Sequence, residues 1–192
     1  MNEKSDSYIR SRELMSRQAS RLLIVDVQEK LMPAIPVAQT LTYKCRRLTP
    51  SHRLLDVPVA ATEQYPQGLG NTVPELEELL DAAAPEKVRF SCAEVLAWGS
   101  AGDQAGGRDQ IVVAGMETHV CVLQTALDLL AQGYRVYVPA DAVGSRFKLD
   151  WKIGLERMSA CGAVITTTES VLFEWCEVAG TPEFKEISKL IR

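Results

Sequence analysis

The chain has 192 residues, 46% of them hydrophobic, and 25 acidic against 21 basic side chains leave a net charge of −4. A chain of this length buries roughly 70% of the surface that its unfolded form exposes, so one soluble domain sustains itself without disulfides or a structural metal. The acidic balance argues against an electrostatic nucleic-acid binder. Five cysteines with no CxxC pair suggest neither a disulfide framework nor a zinc cluster, and two histidines, His52 and His119, are too few for a multi-histidine metal site. No metal and no cofactor is expected, and the thiols fit a reducing, cytoplasmic setting.

Residues 1–20 form a polar arm of mixed charge without the apolar core of a signal peptide, and residues 21–192 form the domain. No stretch reaches the roughly 20 apolar residues that span a bilayer, so no membrane partner is expected. From Leu22 the pattern alternates between buried strands and amphipathic helices. LLIVDV at 22–27 is a continuous apolar run broken by one acid, as in a strand covered on both faces. A helix follows over 37–55, kinked or split at Pro50. Further strands are predicted at 57–62, 87–90, 110–115, 134–140 and 163–167.

Thr118 is a plausible N-cap for a helix carrying Val120, Leu123, Ala126, Leu127 and Leu130 on one face and stopped by Gly133. Helices are also expected at 74–81, 149–160, 169–177 and 182–190, with a glycine-rich surface loop at 98–107. Parallel neighbours need crossover connections. The alternation therefore predicts a three-layer α/β/α, Rossmann-like fold around a mostly parallel six-stranded sheet.

Ligands of open parallel sheets bind beyond the carboxyl ends of the strands, where helix N-termini also point. Asp26 stands near the end of the first strand, and GMETHVC after the fourth puts Cys121 in the first turn of a helix. That position favours a thiolate of lowered pKa, although a small buried packing residue is the competing assignment. Asp26 is either a general base or a turn-capping acid. Lys87 opens its predicted strand, so the edge rule alone does not bring it to the same place, and it is either an electrostatic partner or a solvated lysine. Phe90 and Trp98 either wall a pocket or fill the core, the core being the expectation for Phe90. His119 is two residues from Cys121, a spacing that does not face it on a helix, and is left outside the site.

An acid in D-x-Q, a lysine in K-x-x-F-S and a cysteine in G-x-x-T-x-x-C occur in this order within RLLIVDVQEKLMPAI, EKVRFSC and GMETHVCVLQTALDLL. With VPVAATEQYPQGLG and CGAVITTTES, these segments resemble the isochorismatase-like cysteine hydrolases over roughly 22–175, with the nearest likeness to the isochorismatase domain-containing protein 2 group. The resemblance implies a triad of Asp26 as base, Lys87 as charge-stabilising partner and Cys121 as nucleophile. It also implies an oxyanion hole from the backbone N–H groups of Glu117 and Cys121, and a cis peptide between Met116 and Glu117. Gln64 matches a substrate-contacting position, and Phe90 and Trp98 complete the expected pocket.

The stretch after the second strand lacks the aspartate and histidines of the metal-containing nicotinamidases, which implies metal-independent chemistry on a small-molecule amide through a thioester. Retention of the cysteine favours this over an isochorismatase-type vinyl ether hydrolysis. A non-catalytic binding protein and a ribonuclease are the remaining alternatives, the latter opposed by the acidic balance. Self-association into a homo-oligomer is also implied.

Overall fold

The structure is a computed structural model and describes residues 8–104 and 106–191. The first seven residues of the predicted arm, with Ala105 and Arg192, lie outside the described residues. The elements alternate as the sequence predicts. In chain order they are β1 (Ser20–Val25), α1 (Ala38–Leu48), α2 (Ser51–Leu55), β2 (Val59–Gln64), α3 (Pro66–Leu69), α4 (Pro74–Glu77), β3 (Glu86–Lys87) and α5 (Ala93–Leu96). Then come β4 (Gln110–Met116), α6 (Leu123–Ala131), β5 (Arg135–Pro139), β6 (Val143–Gly144), α7 (Lys148–Ala160), β7 (Val164–Thr166), α8 (Thr168–Cys176) and α9 (Pro182–Leu190).

Among the described residues the sheet has seven strands in the order β3-β2-β1-β4-β5-β7, with β6 beside the end of β4, and every strand pair is parallel. The strand absent from the sequence expectation is β6, whose two residues are too short to leave a pattern. Side chains alternate along the central strands. Leu22 and Ile24 of β1 join Val112 and Ala114 of β4 in one core with Leu41, Leu48 and Trp175. Leu23 and Val25 join Ile111 and Val113 in the other, with Leu129 and Met158. Burying each such aliphatic side chain stabilises the fold by about 1.5–3 kcal/mol, and coverage on both faces explains why β1 and β4 read as unbroken apolar runs.

Pro50 splits the predicted helix at 37–55 into α1 and α2, standing immediately before the second, where its missing N–H costs nothing. The arm docks from residue 8 onward. Met15 is fully buried, its N–H donates to Glu174 Oε2 at 2.7 Å, and Arg10 donates to the carbonyls of Met15 and Glu174. No helix among the described residues is long and apolar enough to cross a membrane.

Candidate active site

Four strand ends converge at the carboxyl edge of the sheet. Asp26 follows β1 with φ 50°, a left-handed conformation that aspartate tolerates better than bulkier residues. Its carboxylate is fully buried. Oδ1 accepts from the Thr62 hydroxyl of β2 at 2.8 Å, and Oδ2 accepts from Lys87 Nζ at 2.7 Å. Lys87 closes β3 instead of opening a strand over 87–90: only Glu86 and Lys87 pair with β2, with Gln64 opposite Lys87. That correction brings the lysine to the same edge as the acid.

The Lys87 ammonium is 1% exposed, and a buried charge needs its donors satisfied. Besides Asp26 it donates to Gln64 Oε1 at 2.7 Å, Phe90 O at 2.9 Å and Arg89 O at 3.3 Å. Gln64 is held in turn, its Nε2 donating to Val88 O and its backbone N–H to Gln28 Oε1. Gln28, also fully buried, donates to the carbonyls of Gln64 and Gly70. Both ends of the Gln64 amide are thus engaged within the protein.

Cys121 arrives from β4. The last strand residues include Gly115 at φ +122°, where a Cβ would meet Val25 O at 2.0 Å. Only glycine lets β4 approach β1 this closely just before the turn that carries Cys121. The peptide between Met116 and Glu117 is cis, and Thr118–Val122 form a π-helical turn preceding α6. The expected N-cap at Thr118 is corrected by this turn. Glu117 stands at the entry, its carbonyl accepting from the N–H groups of Val120 and Val122, and the Thr118 hydroxyl is buried without a partner. Helix α7 packs tightly here, since a Cβ on Gly154 would lie 3.2 Å from His119 Cα.

Cys121 interacts with the Asp26 carboxylate and is 7% exposed. The expectation that the helix start depresses the thiol pKa is overturned. Burial pushes the Cys121 thiol up, the Asp26 charge adds to this, and Lys87 only partly opposes it. Asp26 is also raised, by burial against the counteracting Lys87. The arrangement at rest is a neutral thiol beside a carboxylate made more basic by its surroundings, which suits a base that must take a proton from sulfur.

Two of the expected pocket residues, Phe90 and Trp98, are placed otherwise, and His119 stays outside the site as expected. Phe90 is half exposed and contributes its carbonyl to Lys87, so it does not fill the core. Trp98 lies against Arg21, at the start of β1, and Tyr134, just before β5. This is the amino-terminal edge of the sheet, on the far side from Asp26, and Trp98 does not line the site. His119 faces Ser145 at 3.0 Å and Asp150 at 3.8 Å.

Sequence reasoning missed Thr62, Gln28 and Cys92, the last within 3.2 Å of Thr62 Oγ1. The D-x-Q motif contained the only signal, for Gln28. Two clefts flank the site: one of about 310 Å³ against Tyr65, Lys87 and Ser91, and one of about 470 Å³ lined by Val37, Leu41, Val143, Ser145 and Arg146. The larger is tied to the turn that carries Cys121 by the Arg146 guanidinium, which pairs with Glu117 at 2.9 Å. Among the described residues no group of three His, Cys, Asp or Glu side chains gathers to hold a metal.

The mostly parallel sheet layered with helices defines the class of fold as α/β, with a buried acid, lysine and cysteine at one edge, and comparison with known proteins identifies the family. Residues 20–170 match the isochorismatase domain, and the chain belongs to that hydrolase family. It is 39% identical over 178 residues to isochorismatase domain-containing protein 2A of Mus musculus, covering 91% of this chain and 84% of that protein. It is 40% identical over 167 residues to isochorismatase domain-containing protein 1 of Salmo salar, covering 87% of this chain but only 59% of that protein's length. Among solved structures, the MAR1 ribonuclease of Caenorhabditis elegans superposes with a TM-score of 0.83 at 36% identity, covering 93% of this chain and 92% of that one.

Proposed function

We propose that the protein is a metal-independent cysteine hydrolase that cleaves a small-molecule amide C–N bond through a thioester on Cys121. The observation that carries this reading is the Lys87 ammonium, buried and donating to Asp26 while Asp26 interacts with the thiol. Asp26 takes the thiol proton as sulfur attacks the carbonyl carbon. The C–N bond breaks and the amine leaves with that proton. Water then attacks the thioester, giving one proton to Asp26, which returns it to the Cys121 sulfur as the acid departs. Lys87 offsets the negative charge that passes between sulfur and carboxylate, and the N–H groups of Glu117 and Cys121 serve the oxyanion.

The test is a panel of primary amides and carbamoyl compounds, assayed for ammonia release with wild type, Cys121→Ala and Asp26→Asn. Loss in both variants is expected. Equal release by wild type and Cys121→Ala removes the nucleophile from the reaction, and a vinyl ether substrate that needs Asp26 but not Cys121 would redirect the chemistry. The name of the nematode relative keeps RNA cleavage as a second reading, opposed by the net negative charge. Cleavage of single-stranded RNA by wild type but not by Cys121→Ala would establish it. Self-association is proposed through the surface around the larger cleft, where Val37, Phe147 and Leu149 are exposed. Sedimentation at tens of micromolar should show an assembly that Phe147→Glu weakens.

A further inference from the structure

Beneath the triad lies a second buried thiol that the proposed reaction does not use. Cys92 is fully buried, and its backbone N–H is pinned to Thr125 Oγ1 of α6 at 2.9 Å. Its sulfur lies 3.2 Å from the Thr62 hydroxyl, which lies 2.8 Å from Asp26 Oδ1. A hydroxyl carries one proton, and an ionised carboxylate only accepts. With Asp26 ionised, Thr62 must therefore donate to Oδ1, and the Cys92 S–H is left to donate to Thr62.

The other oxygen of Asp26 has a partner that cannot reverse. Lys87 has donors and no acceptor, so a proton placed on Oδ2 would confront the ammonium at 2.7 Å. A proton on Oδ1 meets a hydroxyl that can turn, accepting from Asp26 and donating to the Cys92 sulfur, while the Cys92 S–H rotates away. No proton leaves Cys92 in either state. We infer that Thr62 and Cys92 are positioning residues that form a reversible hydrogen-bond pair, steering the proton of the Cys121 thiol to Oδ1 of Asp26 and holding the carboxylate in both of its protonation states. The inference rests on the reading of Asp26 as the base for Cys121. The ionisable groups that face Asp26 are Lys87 from β3, Cys121 from the π-turn and Cys92 ahead of α5. Burial and the Asp26 charge keep Cys92 protonated, with its pKa pushed up to about 11, as a thiol donor requires.

The readout needs no substrate. The rate of Cys121 alkylation by iodoacetamide is followed by mass spectrometry of the Cys121 peptide between pH 5 and 9, in the full chain, for wild type, Asp26→Asn, Thr62→Val, Thr62→Ser, Cys92→Ala and Cys92→Ser. Loss of a hydrogen bond to a charged group should raise the acid limb of the profile by about one pH unit in Thr62→Val. Thr62→Ser should keep the wild-type limb, Cys92→Ala should shift it upward by less, and Cys92→Ser should restore it. A role in packing alone would lower the rate at every pH without moving the limb. An unmoved limb in Thr62→Val, with Asp26→Asn still altering the profile, overturns the pair and leaves the base intact. A profile unaffected by Asp26→Asn overturns the base and the pair together. If Thr62→Val does not fold, Cys92→Ala decides: a limb at the wild-type position overturns the pair.

Discussion

Asp26 and Asp141 stand after the carboxyl ends of two parallel strands of one sheet, and they are furnished alike. Each pairs with a lysine, Asp26 with Lys87 at 2.7 Å and Asp141 with Lys44 at 2.9 Å. Each accepts from a threonine hydroxyl, Thr62 at 2.8 Å and Thr168 at 3.0 Å. Each has a buried thiol within its field, Cys92 and Cys45. Their acidities nevertheless diverge. Burial raises Asp26 despite Lys87. At Asp141 burial also pushes upward, but the Thr168 N–H at the start of α8, with the Thr168 hydroxyl and Lys44, outweighs it and leaves the carboxyl below its ordinary range. The Asp141 side chain keeps 31% of its exposure, whereas Asp26 keeps none. Depth and a backbone donor, not the identity of the neighbours, decide which acid is raised and which is lowered.

The widest separation expected is in activity. Asp26→Asn should lower amide hydrolysis by about 10²–10⁴-fold, the usual contribution of a positioned base, whereas Asp141→Asn should leave turnover within about threefold. Ammonia release measured side by side checks this, and comparable losses in the two variants would erase the distinction. Next comes stability. Asp141→Ala strips the acceptor from the Thr168 N–H and hydroxyl, and should cost about 1–3 kcal/mol in denaturant melts.

The pH dependence should then run in opposite directions. The folded pKa of Asp141 lies below its unfolded value near 3.9, so its contribution is present above that value and is lost as pH falls through the folded pKa. For Asp26 the folded pKa lies above the unfolded one, so ionising it in place costs stability as pH rises from about 4. Melts between pH 3 and 7 should show the advantage of wild type over Asp141→Asn shrinking with acid. Over the same range the stability of Asp26→Asn relative to wild type should improve with rising pH, and parallel slopes would contradict the assignment.

A separate effect lies at alkaline pH. Cys92 and Cys45, pushed up to about 11 and about 12, remain thiols in the folded chain after the unfolded ones ionise near 8.5. Their contribution is full below that pH, and stability should fall by about 1.4 kcal/mol per unit for each thiol as pH climbs toward the folded values. Cys45→Ala, compared with wild type at pH 8, 9 and 10, should flatten the decline.

The scaffold was legible wherever burial is two-sided. β1, β4 and β5 announce themselves as apolar runs, and Pro50 divides its helix as proline sterics require. The placement of Asp26 and Cys121 at the carboxyl edge was legible because both follow such strands, while their roles came only from the resemblance. Lys87 was harder, since a strand of two residues has no periodicity and its end is set by pairing with Gln64 across the sheet. Trp98 was misplaced because an aromatic in a glycine-rich loop carries no sign of which sheet edge it will reach. Thr62 and Cys92 read as an ordinary strand threonine and a packing cysteine, and only the approach of three separate segments gives them neighbours. The pKa of Cys121 failed for a related reason. The helix start is local and visible in sequence, while burial belongs to the whole fold and outweighs it.

The crowded ammonium of Lys87 has one more consequence. Its three protons are already claimed by Asp26, Gln64 and Phe90 at 2.7, 2.7 and 2.9 Å, and the amide of Gln64 is occupied at both ends. The ammonium has no proton left to give a ligand, whereas the Gln64 amide keeps a second N–H and a second oxygen lone pair. Polar recognition of a ligand therefore falls to Gln64 and the surrounding loops and not to the ammonium, and these can vary while the Asp26–Lys87 pair stays constant.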